Sequence, residues 1–154
     1  MGSSFVELRE RGFWIRDALL DVWLLGLHRT MAQADNEDDR VLAEQMLEMA
    51  CVGYVGWHPL ALNELGPERL RSLELHASKV VDVFRANPRL LEPESLNALH
   101  VGGPGEWSKA VRLSDVEAVS ARMLELLGGR CEWTSASPGA VAWMRPLYEQ
   151  SGDS

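Results

Sequence analysis

Apolar residues crowd the stretch 12–34. Asp17, Asp21 and His28 fall at intervals of four and seven and share one polar stripe, while Trp14, Ile15, Leu19, Leu20, Val22, Trp23, Leu25 and Leu27 fill the rest of the circumference. A helix apolar around most of its surface belongs inside a bundle with other elements packed on it, so the pattern predicts a central helix over 12–34. Asp35, Glu37, Asp38 and Asp39 break that pattern and then supply the acidic first turn of a second helix, running to about 54. Carboxylates there meet the positive end of the helix dipole. Gly66-Pro67 opens a third helix, because proline is favoured at the first helical position. Its apolar face (Leu70, Leu73, Ala77, Val80, Val81, Phe84) continues to the Asn87-Pro88 stop.

A short helix over 92–99 follows, then a glycine-rich loop over 101–107. Ser114 and Glu117 have capping-box spacing at the head of a helix that ends at Gly128-Gly129. Residues 131–134 read as a short strand, Pro138 as the opening of one more short helix, and 151–154 as a frayed end. The fold expected is mostly α: a single domain over 1–150, built as a bundle of five to six helices around the central one. A chain of 154 residues buries about 68–70% of its unfolded surface, enough for a core without disulfides or a structural metal.

Charge narrows the possible partners. Formal net charge is −8, and all cations except Lys79 and Lys109 are arginine. Backbone recognition of nucleic acid runs on displaced counterions, so an acidic chain without a basic stripe argues against it. The acidity is concentrated in the first half, above all over 35–48, where it would attract a cationic partner and speed encounter. Cys51 and Cys131 make no zinc spacing and no C-x-x-C pair, which fits two thiols in a reducing cytoplasm. The start of the chain carries charges where a signal peptide needs an apolar run, and Gly2-Ser3-Ser4 has the composition of a cloning remnant. The apolar stretch near the start is interrupted by Arg16, Asp17 and Asp21, which argues against a membrane span.

The chain carries no strong chemical motif. Counted from Asp35 as a calcium loop, the sixth residue is Arg40 and the twelfth Met46, where glycine and glutamate are needed. Asp17 and Asp21 stand one helical turn apart, but no Glu-x-x-His pair accompanies them, so they read as acids facing water or an arginine. His28, His58, His76 and His100 lack zinc-binding spacing. The glycine loop has no following Lys-Ser/Thr, so it reads as a turn that presents Glu106 and Trp107. No cofactor, metal or catalytic residue is therefore expected.

In size, charge and missing catalytic motifs the chain resembles bacterial immunity proteins, small acidic chains that block a cognate toxin. The resemblance rests on no motif and assigns no residue; the mechanism expected is occlusion, in which the charge pattern has Asp35, Glu37, Asp38 and Asp39 steer a basic toxin or effector while Glu106 and Trp107 supply further contact. The same features fit a structural or regulatory interaction domain, including a homo-oligomer. An enzyme with an unrecognised site and a small-molecule binder with a cavity inside the bundle complete the set of readings.

Overall fold

The computed structural model describes residues 2–52, 58–103, 106–137 and 140. The described chain is mostly helical and opens with a two-stranded antiparallel sheet. Strand β1 (Ser3–Leu8) pairs with β2 (Arg11–Arg16) in a register that sets Leu8 opposite Arg11 and Ser3 opposite Arg16. Side chains alternate across the hairpin. Val6, Leu8, Phe13 and Ile15 are buried, while Phe5 and Trp14 meet on the other face with ring centroids 5.4 Å apart. The turn residues Arg9 and Glu10 both take positive φ, 54° and 69°, as a type I′ turn requires.

The helix expected over 12–34 is therefore shorter at both ends. Residues 11–16 are strand, and α1 spans Asp17–Met31. Period-two alternation over Phe13, Trp14 and Ile15 is too short to distinguish from a helix face by pattern. The turn also lacks the Asn-Gly or Asp-Gly that usually announces a hairpin. Gly2-Ser3-Ser4 is packed into the fold: Ser4 is buried within β1, and the Gly2 carbonyl accepts the Asp17 amide at 3.0 Å.

Every residue of α1 from Leu19 to Leu27 is buried. It packs on α2 (Glu37–Val52) and on three later helices. The predicted third helix is two: α3 (Pro67–Ala77) and α4 (Val80–Ala86). Between them the Ser78 hydroxyl donates to the Leu75 carbonyl at 2.6 Å, a local bond that competes with helix continuation. The break lets α4 approach α1 at Gly26, where an added Cβ would lie 2.5 Å from the Phe84 ring and 2.7 Å from Val80.

Helix α5 (Pro93–Ala98) lies where proline placed it. Helix α6 (Leu113–Leu127) does not use the predicted capping box. Its N-cap is Arg112, without a side-chain cap, and Glu117 instead faces Arg85 at 3.6 Å. The glycine stop behaves as expected: Gly129 has φ 74°, and the Arg130 amide reaches back to the Glu125 carbonyl at 2.8 Å. Residues 131–134 are not a strand. They lie along β2 through a bond from the Gly12 amide to the Trp133 carbonyl, 2.9 Å, and one from the Arg11 guanidinium to the Glu132 carbonyl, 3.1 Å. The helix expected from Pro138 and the end at 151–154 lie outside the described residues.

Candidate functional site

Burying Asp21 in a helix surrounded by apolar neighbours requires a partner, because an unpaired interior carboxylate is costly. His58 supplies it. The His58 Nε2 lies 2.6 Å from Asp21 Oδ1, and both side chains are almost wholly buried. The Leu60 amide donates to His58 Nδ1 at 3.2 Å, so the ring proton sits on Nε2 and points at Asp21. The His58 amide donates to Ser4 Oγ at 2.7 Å, and that hydroxyl donates to Asp17 Oδ1 at 2.6 Å. One hydrogen-bonded chain thus joins α1, β1 and the segment that follows α2.

Burial pushes the Asp21 carboxyl above its ordinary value, with the His58 bond and charge pulling it back and Asp17 adding to the rise. Cys51 lies within reach of the same field. Burial first and the Asp21 charge second push its thiol up, and its sulfur donates to the Leu99 carbonyl at 3.2 Å. A thiol raised in this way stays protonated at neutral pH and is a poor nucleophile. With Nε2 on a carboxylate and Nδ1 on a backbone amide, the imidazole is held as a tie between chain segments. Asp21 therefore does not face water; it faces a histidine inside the fold, and half-buried Asp17 accepts a hydrogen bond from a serine.

The remaining histidines go separate ways. His28 Nδ1 donates to the Ala43 carbonyl at 3.0 Å, and His76 Nε2 lies 3.3 Å from Asp39. His100 is exposed, with φ 56°. Among the described residues no group of three or more His, Cys, Asp or Glu side chains is placed to hold a metal ion.

The acidic run lies at the head of α2. Asp35, Glu37 and Asp38 are exposed, while Asp39 is half-buried and turned toward His76 on α3. Asn36 accepts the Asp38 amide on its side chain at 2.8 Å, which caps the helix start and leaves the carboxylates to solvent. The nearby Arg40 guanidinium bonds the carbonyls of Ala34 and Asp35 and not a carboxylate. Among the described residues, Asp35, Glu37 and Asp38 make no ion pair. Glu44 and Glu48 extend the exposed acids along α2.

Trp107 lies elsewhere and is held inward. Its indole N–H donates to the Val101 carbonyl at 2.8 Å, and its backbone exchanges two bonds with the Asn97 amide, 2.7 and 3.1 Å. The ring packs against the core, and Glu106 beside it is exposed. Gly102 and Gly103 take positive φ, and the Gly102 amide bonds the Ala50 carbonyl at 2.7 Å. The loop is therefore pinned to the end of α2. Residues 104–105 lie outside the described set.

The tie through Ser4 and His58 has no local sequence motif. Its one trace is Asp21 itself, a carboxylate flanked on the helix by large apolar residues. Comparison with protein-family models, curated proteins and solved structures finds no match to the chain.

Proposed function

We propose that the protein is a small acidic binding protein of the immunity type, which occludes a basic bacterial toxin or effector in the cytoplasm. The observation that carries this reading is the exposed head of α2, where Asp35, Glu37 and Asp38 stand in water in a chain of net charge −8 and make no ion pair among the described residues, the neighbouring Arg40 being bonded to backbone carbonyls. Unpaired carboxylates held on a rigid helix start keep their field available to a partner, which raises the association rate and selects for positive charge. Against a nuclease, the same carboxylates would take the place of phosphates. Asp39, turned to His76, positions the helix head, and Glu106 adds contact from a loop that the inward-held Trp107 braces on the core, its half-buried ring contributing at the edge.

In this reading the helices form one bundle around α1. The buried run from Leu19 to Leu27 supports that arrangement, and a rigid bundle lets an inhibitor bind with little ordering cost.

The test is affinity capture from native lysate at low salt, comparing the wild-type chain with the triple variant Asp35→Asn, Glu37→Gln, Asp38→Asn. Asp39 is kept so that its contact with His76 survives. The expected result is one stoichiometric basic protein held by the wild type, lost by the variant, and released near 1 M salt, where the Debye length falls to about 3 Å. Capture that the three substitutions leave intact would remove the acidic head from the mechanism.

A further inference from the structure

An open cavity of about 350 Å³ lies between the hairpin turn, the first turns of α3 and the last turn of α6. That volume is at the small end of the range for ligand pockets. Its wall is apolar, formed by Leu8, Leu70, Leu126 and Leu127. Arg9, Arg11 and Arg71 also line it, together with one acidic residue, Glu74. Three arginines at one cavity stand out in a chain whose net charge is −8. None of the three forms an ion pair among the described residues. Arg11 is positioned through a bond to the Glu132 carbonyl, 3.1 Å, which leaves most of its fork available.

Position on the fold supports a role for Arg9. A turn with both central residues at positive φ favours asparagine and glycine, yet here it holds Arg9 and Glu10. The turn is fixed at its base, because the Arg9 amide donates to the Asn63 side chain at 2.7 Å. The backbone that carries Arg9 is thereby fixed beside the cavity, which Arg71 also lines from α3.

The geometry points to a binding site for a small anionic amphiphile: an acid head group held by the arginines and a short aliphatic chain laid on the leucines. Guanidinium forks match a carboxylate or a phosphate through paired hydrogen bonds, and are worth most beside a surface that excludes water. The leucine wall takes the apolar body, which a hydrophilic anion would leave unfilled. This site is remote in function from the acidic head of α2, and its ligand has the opposite charge to the partner proposed above.

Calorimetric titration of the intact protein with decanoate and decyl phosphate tests it, with decanol and decyltrimethylammonium as the uncharged and cationic controls. One anion per chain is expected to bind with a dissociation constant on the order of 10–100 μM. The tighter of the two anions identifies the head group. Arg9→Gln and Arg71→Gln, both at exposed positions, should each weaken binding about tenfold, and the controls should bind at least that much more weakly than the anions. Leu70→Gln reports on the apolar wall and should also weaken binding. Asp35→Asn, at the other site, should leave it unchanged. Failure of both anions to bind at about 1 mM, or equal affinity for decanol, overturns the proposal. So does binding that Arg9→Gln and Arg71→Gln leave intact while circular dichroism shows them folded.

Discussion

Asp21 ties its protonation state to the stability of the fold. Burial raises its carboxyl from 3.8, so the folded chain holds that proton more tightly than the unfolded chain does. Its contribution to stability is therefore present in full below 3.8 and is lost as pH rises through the folded value. Asp21→Asn removes this dependence and keeps an oxygen acceptor for the His58 N–H. Urea unfolding from about pH 4 to 6 should show the wild type losing stability relative to Asp21→Asn as pH rises. A difference with the opposite slope would mean that the His58 bond outweighs burial. Trp23 makes a second residue-level case. It is 1% exposed, and its indole N–H donates to the Ser120 hydroxyl at 2.8 Å. Trp23→Ala should cost about 3–5 kcal/mol in denaturant unfolding, and a loss under about 1 kcal/mol would contradict this burial.

At the scale of elements, the close approach of α1 and α4 rests on one missing side chain. Gly26 is a poor helix former, but a methyl there would push into Phe84 and Val80, both fully buried. Gly26→Ala gains helix propensity and loses more through overpacking, for a net destabilisation of about 1–2 kcal/mol. Thermal unfolding checks the sign: a raised Tm would show that α4 can retreat without cost. The hairpin and α6 illustrate the limits of local signals. The hairpin forms on an Arg9-Glu10 turn that carries no sequence cue, because its inward residues find a core to cover. The capping-box spacing at Ser114 goes unused, because α6 begins two residues earlier than a Ser114 cap requires and Glu117 meets Arg85 across the helix pair.

The whole molecule separates its charges. The acidic head of α2 stands in solvent, whereas three arginines gather at the cavity between the hairpin, α3 and α6. Both features survive in a chain whose net charge is −8 because the carboxylates of the first helices and the arginines of the hairpin turn sit on different elements. Neutralising Asp35, Glu37 and Asp38 and neutralising Arg9 and Arg71 should thus have independent effects, the first on capture of a basic protein and the second on anion binding. No helix among the described residues is long and apolar enough to cross a membrane, in keeping with the charges that interrupt the apolar stretch near the start.

Periodicity over Leu19–Leu27, the Pro67 and Pro93 starts and the Gly128-Gly129 stop determined the mostly helical class and the placement of most helices, since these depend on neighbours within a turn or two of the chain. The exposed acids before and within the head of α2 were legible for the same reason. Tertiary structure alone decided that 11–16 pairs with 3–8, that the helix after Pro67 breaks at Ser78, and that Asp21 turns inward. Each of those outcomes is set by a partner far along the chain: Ser4 and His58 for the acids, Phe84 against Gly26 for the helix break. It alone also brought Arg9, Arg11 and Arg71 to one cavity. Contacts between residues dozens of positions apart leave no period and no motif to read, because the energy that selects them is burial in a core assembled only when the whole chain folds.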